Sequence, residues 1–387
     1  MSLRIAPGWL TAPGPVAVMA ALGAAGHRAW YVGGSVRNAL IGRPDSDIDI
    51  ATDATPDQTT AAARAARLRA VPTGADHGTI TVVAAGEGFE VTTLRRDVET
   101  DGRHARVAFS TRIEEDAARR DFTMNALYAT AAGEVVDPLG GLPDLRAGRV
   151  RFIGEATDRI AEDYLRILRF FRFTAWYGNP GEGPDAEGLA ACAAGAEGLG
   201  RIAAERIGLE MRKLLAAPDP APALAAMAQA GVLARVLPGS DPRALAPLVH
   251  LEAGLPPDPL RRLAALGGPD PAETLRLSRA EARQLALYRE ALAEDRGIPA
   301  LAQAEGRAAA RDVALLRAAM TGQPLPPGLE SVIERAATAR FPVAAADLMP
   351  ALQGPALGRR LEHLRRAWVA SDFTLDRDAL LSLPDTP

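Results

Sequence analysis

Strand-like patterning in this chain stops near Gly141, and nothing later in its 387 residues restores it. Before that point HRAWYVGG reads as a short strand ending at glycine, and DIDIAT as another. GTITVVAAG and GFEVTTLR alternate β-branched with other residues on either side of a glycine turn, the pattern of a hairpin. GEVVDPL adds a further strand and AVMAALGAAG a helix, so about five strands with helices between them build a small mixed sheet. From Phe152 onward the period is helical, first in DRIAEDYLRILRFFRFTAWYG and then in AERIGLEMRKLLAA. PDPAPA interrupts the chain at 218–223, and the rest is rich in Ala, Leu and Arg, cut by Pro and Gly into short helices. Ser278 followed by Glu281 is a capping box at one helix start. The expected fold is an α+β head at residues 1–145, an all-α neck at 146–217, and an all-α body and tail at 218–387.

A net charge of −4 gives no global basic signature, so any nucleic-acid partner must meet a local patch. Lys213 is the only lysine, which leaves phosphate contacts to planar, forked guanidinium groups. Cys192 stands alone, excluding an intrachain disulfide and a cysteine-based zinc site. No apolar run reaches the length of a membrane span and MSLRIAPGWL lacks a signal-peptide core, so a cytoplasmic protein is expected.

The stretch GGSVRNALIGRPDSDIDI, 33–50, carries the chemistry. On a strand Asp47 and Asp49 project to one face while Ile48 and Ile50 point to the other. Two carboxylates that close resist ionisation unless a cation lies between them. Mg²⁺ suits such oxygens and keeps positions free for substrate phosphates, as in two-metal phosphoryl-transfer sites. Gly33 and Gly34 let the backbone approach an anion, and Arg37 on the next turn is placed to clamp a triphosphate. No Walker A pattern occurs, which excludes a P-loop enzyme. Glu90, on a neighbouring strand, reads equally as a third carboxylate near the metals or as an edge-strand charge.

Together with RRDFTMNAL at 119–127, DPLGG at 137–141, EDYLRILR at 162–169 and AERIGLEM at 204–211, this stretch resembles the motifs of the class II tRNA nucleotidyltransferases. These are the CCA-adding enzymes of the DNA polymerase beta superfamily and their bacterial poly(A) polymerase relatives. The resemblance runs from about Tyr31 to Lys213, and the body beyond carries no motif of the family. Asn38 departs from it, standing where aspartate is usual; an amide still accepts a hydrogen bond but brings no charge. The resemblance implies a polymerase-beta-like head, Mg²⁺ (two ions) on Asp47 and Asp49, CTP and ATP as substrates, and tRNA as partner through its 3′ end and acceptor region.

By the same resemblance Arg120 and Asp121 hold the nucleotide's phosphate and ribose, with Asp121 accepting from a 2′-hydroxyl, while Asn125 fixes their loop. Asp163, Arg166, Arg169 and Arg172 recur every third residue, one slanting ridge along a helix above Leu165, Leu168 and Phe171. An Asp163 acceptor beside an Arg166 donor matches the edges of cytosine and adenine. Uracil and guanine reverse the pattern and leave buried groups unpaired, at about 1–3 kcal/mol each. Arg169 and Arg172 would serve phosphates or tRNA.

The segment DVETDGRHARVAF, 97–109, resembles the family's mobile loop, within which His104 reads as a surface residue. The function implied is template-independent addition of CCA to tRNA. A poly(A) polymerase on the same head is the alternative, although AVPTGADHGTITVV lacks the basic run usual in those enzymes. An A-only or CC-only adding enzyme and a catalytically silent RNA-binding module also stay open.

Overall fold

Nine strands form two sheets in the computed structural model, which describes residues 3–44, 47–75, 78–99, 106–294 and 296–384, with backbone alone at 97–99 and 106–107. They are β1 (Ala29–Val32), β2 (Asp49–Thr52), β3 (Arg69–Gly74), β4 (Thr79–Ala84), β5 (Glu87–Thr93), β6 (Arg95–Glu99), β7 (Arg106–Phe109), β8 (Tyr128–Ala129) and β9 (Val135–Val136). The seven-stranded sheet runs β3-β4-β5-β2-β1-β8-β9, and β6 and β7 form a second, two-stranded sheet. All pairings are antiparallel except β2 with β5, which sets Asp49 beside Glu90 in register.

The expected hairpin is the β4–β5 pair. The sheet holds more strands than the patterning suggested. β3 carries Pro72, tolerated because the strand lies at the sheet edge, and β8 is two residues long, too short for alternation to show. Of the 97–109 segment, 100–105 and with them His104 lie outside the described residues, and its flanks are the ends of β6 and β7.

Helices α1 (Pro13–Ala24), α2 (Gly34–Leu40) and α3 (Pro56–Ala65) belong to the sheet, with α1 and α3 packed together against β4 and β5. Thr55 and Gln58 close a capping box at the start of α3, whose first residue is proline. Next come α4 (Ile113–Ala118), α5 (Leu142–Ala147), α6 (Ala156–Glu162), α7 (Leu165–Tyr177), α8 (Ala186–Gly195), α9 (Ala204–Leu215), α10 (Ala221–Gln229) and α11 (Val232–Val236).

α7 buries Leu165, Ile167, Leu168, Phe170, Phe171 and Phe173, and Phe122 of the head packs against Phe152, Phe170 and Phe173. α9 lies along α7, and the Trp176 indole N–H donates to the Lys213 carbonyl at 2.8 Å. One expectation is corrected here: the helical run from Asp158 is not continuous. Asp163 has extended backbone (φ −153°, ψ 104°) between α6 and α7, so it does not share a helical ridge with Arg166, Arg169 and Arg172.

The chain divides into two compact units, Met1–Pro238 and Gly239–Pro387. The proline-rich stretch at 218–223 opens α10, which packs on α7 inside the first unit. The second unit is helical: α12 (Leu245–Leu251), α13 (Pro259–Leu266), α14 (Arg279–Ala293), α15 (Ile298–Glu305), α16 (Arg307–Thr321), α17 (Leu329–Thr338), α18 (Gly354–Ala370) and α19 (Arg377–Leu381). The Ser278–Glu281 capping box opens α14 as expected. A buried ionic cluster ties its helices: Arg261 donates to Glu252 at 2.7 Å and to Asp312 at 2.6 Å, and the Tyr288 hydroxyl donates to Asp312 at 2.6 Å. Among the described residues no helix is long and apolar enough to cross a membrane.

Candidate active site

Asp49 opens β2, with Ile50 fully buried behind it, and Asp47 lies exposed just ahead of the strand. Asp47 and Asp49 line a cleft of about 620 Å³ together with Glu87, Phe89 and Glu90. Burial, reinforced by the neighbouring Glu90 and Asp47 and opposed by Arg120, pushes the Asp49 carboxyl up to about 6. Asp49 is half-buried with the exposed Asp47 and Glu90 beside it, and carboxylate oxygens are the donors Mg²⁺ prefers. Among the described residues no three or more His, Cys, Asp or Glu are gathered tightly enough to hold a metal, so the candidate ligands are the pair Asp47 and Asp49, with Glu90 beside them.

Gly33 adopts φ 72°, ψ −122°, a conformation closed to residues with a side chain, and it carries the chain from β1 into α2, whose first residue is Gly34. A Cβ at Gly33 would stand 3.6 Å from Arg120 Nη1, so the glycine turn and the arginine face one another. Arg120 is held by Asp116 of α4. Asp116 Oδ1 accepts from Arg119 at 2.7 Å, and Oδ2 accepts from Arg120 at 3.0 Å and from the Tyr128 hydroxyl at 2.8 Å. Burial alone would raise the Asp116 carboxyl, but the two guanidinium groups outweigh it and bring it down to about 2.

Two expected roles change with this geometry. Arg37 is only 6% exposed, and its guanidinium is spent on Asn125, on Asn38 at 3.1 Å and on the Tyr177 hydroxyl at 2.6 Å, stacked 3.9 Å from the Tyr177 ring. It ties α2 to α7 and is not free to clamp a phosphate. Asn38 accepts twice from Arg37 through Oδ1 and donates to the Pro44 carbonyl at 2.9 Å.

Asp121 likewise has no acceptor left for a ribose. Oδ1 takes the Phe122 amide and the Asn125 side chain, each at 2.9 Å, and Oδ2 takes Nε of Arg169 at 2.8 Å and its Nη2. A carboxylate offers about four acceptor positions, and all are filled. Asn125 donates to Asp121 and accepts from Arg37.

Arg172 pairs with Glu210 of α9 at 2.9 Å. Arg166 is bonded to Glu162, to the Arg159 carbonyl at 2.7 Å and, more distantly, to the Arg119 carbonyl at 3.5 Å. Arg159 donates to the Arg120 carbonyl at 2.8 Å, so the segment that bears Arg119–Asp121 is gripped on one side by Asp116 and on the other by α6 and α7. Asp163 and Arg166 make no side-chain bond to each other; Asp163 meets Arg206 at 2.7 Å instead.

Asp116, Glu162, Arg206 and Glu210 were assigned no role from the sequence. Asp116 had a readable signal, since it stands three and four residues before Arg119 and Arg120. Arg206 and Glu210 stand within the AERIGLEM motif, but their pairing with Asp163 and Arg172 had no local signal, because those partners lie far away in the sequence.

Residues 29–151 match the family model of the poly A polymerase head domain, and 184–243 match that of the probable RNA and SrmB-binding site of polymerase A. Over these residues the chain is similar to the class II tRNA nucleotidyltransferases and poly(A) polymerases. Similar proteins include human mitochondrial CCA tRNA nucleotidyltransferase 1, 47% identical over 193 residues, which is 49% of this chain and 44% of that protein. The CCA-adding enzyme of Geobacillus thermodenitrificans is 41% identical over 216 residues, 55% of this chain and 52% of that one. The chain thus spans about half the length of these curated class II relatives. Among solved structures the CCA-adding enzyme of Bacillus stearothermophilus in complex with CTP superposes with a TM-score of 0.70 at 28% identity, covering 92% of both chains. The fold, a polymerase-beta-like head followed by helices, is shared with that structure.

Proposed function

We propose that the protein adds CCA to tRNA 3′ ends from CTP and ATP without a nucleic-acid template, releasing pyrophosphate. The observation that carries this reading is the parallel β2–β5 register, which brings Asp49 and Glu90 together at a cleft also lined by Asp47, within a family whose relatives are named for this reaction. Residues 1–145 would act as catalytic head, 146–217 as the base-recognising neck and 218–387 as the tRNA-holding body, in the cytoplasm.

In this reading the RNA 3′-hydroxyl attacks the nucleotide α-phosphate in line. Asp47 and Asp49 would hold Mg²⁺, which supplies charge neutralisation at the triphosphate and acidifies the hydroxyl. Arg120, pinned by Asp116 under the Gly33–Gly34 turn, would meet the phosphates. Asp163 and Arg166 would read the base edge, while Arg37, Asn125, Asp121, Arg169 and Arg172 support these groups from behind. Glu90 would keep the carboxylate cleft acidic.

The test is incubation with tRNA ending before CCA and each labelled ribonucleotide in turn. The wild type is expected to add C, then C, then A, and Asp49→Ala to lose at least ~10³-fold in rate while still binding tRNA. Polymerisation of A alone would mean a poly(A) polymerase, and no incorporation at all would leave only RNA binding.

A further inference from the structure

The two residues proposed to read the base are each braced by a residue of opposite charge. Arg166 is braced by Glu162, four residues before it in the chain. Asp163 is braced from a different helix. Its Oδ1 accepts from the Leu165 amide at 3.1 Å, which caps α7, and its Oδ2 accepts from Arg206 Nη2 at 2.7 Å. The cap sets the plane of the carboxylate and Arg206 sets which oxygen faces outward. One acceptor position on Oδ2 is left for a further donor.

We infer that Arg206 is a specificity-determining positioning residue: it fixes the Asp163 oxygen that accepts the exocyclic amino group of an incoming cytosine or adenine. The inference rests on the CCA-adding reading above.

A purely structural role is a poor account of this pair. The Arg206 and Asp163 side chains are 48% and 29% exposed, so the ion pair is open to water and adds little to stability. Its effect lies in geometry. Freed from Arg206, the Oδ2 side of the carboxylate swings about the cap and no longer presents an acceptor at one fixed point. A base with a carbonyl at that position then meets less opposition, and one with an amino group less help.

Steady-state incorporation of all four ribonucleotides on tRNA ending before CCA tests this, comparing wild type, Arg206→Ala and Arg206→Lys, with melting temperatures alongside. Arg206→Ala is expected to raise KM for CTP and ATP and to narrow discrimination against UTP and GTP roughly tenfold. Its kcat, its KM for tRNA and its melting temperature should stay near wild type, and Arg206→Lys should recover most of the discrimination. An equal loss for all four nucleotides, or a rise confined to the KM for tRNA, overturns the inference and leaves the CCA-adding reading standing. Failure of the wild type to add C or A overturns both.

Discussion

A single carboxylate, that of Asp116, carries Arg119 on one oxygen and Arg120 on the other, and its side chain is 2% exposed. Replacing it with asparagine keeps the shape but leaves one oxygen and no charge for two half-buried guanidinium groups. Asp116→Asn is therefore expected to raise the KM for nucleotide by at least about tenfold, because Arg120 loses its fixed place under the glycine turn. Single-turnover addition at saturating and at limiting nucleotide separates this from a loss in the chemical step. At this scale residue types were legible and residue duties less so. Asp47, Asp49 and Glu90 line one cleft, Glu90 through a strand pairing that spacing did not show, whereas Arg37 and Asp121 look from the sequence like ligand contacts and are consumed by other residues. Spacing tells which residues share a face, and it is silent on whether a neighbour from another element has already claimed their hydrogen bonds.

The α6–α7 break shows the same limit among elements. Apolar spacing continues across Asp163 and Tyr164, so periodicity alone runs one helix through them, and only the extended backbone at Asp163 reveals two. The β4–β5 hairpin and the α14 capping box were legible because each is encoded within a few adjacent residues. The α7–α9 seam was not, being set by Glu210, which is 4% exposed and pairs with Arg172. Glu210→Ala strands that arginine against the seam and is expected to destabilise the first unit by roughly 3 kcal/mol. Denaturant unfolding followed through tryptophan emission measures this, and Glu210→Gln should cost less.

For the molecule as a whole the depressed carboxylates set an acid limit. Burial raises Asp121, but Arg169, the Asn125 side chain and the Phe122 amide together bring it down to about 2, close to Asp116. Unfolded aspartate titrates near 3.9, so the stability these groups supply is present above about pH 4 and lost as pH falls toward 2, on the order of 2 kcal/mol per group. Melting temperatures between pH 7 and pH 2.5 should fall steeply below pH 4, and Asp121→Asn should melt lower at neutral pH with a shallower acid slope. The sole lysine carries a different consequence. Lys213 is exposed at the end of α9, and its carbonyl holds the Trp176 indole at 2.8 Å. An amine-reactive dye therefore has one side-chain target in the whole chain, next to an intrinsic donor of fluorescence. Energy transfer from Trp176 to a label on Lys213 follows the α7–α9 seam optically during turnover, with no engineered cysteine and no change to the residues around the nucleotide.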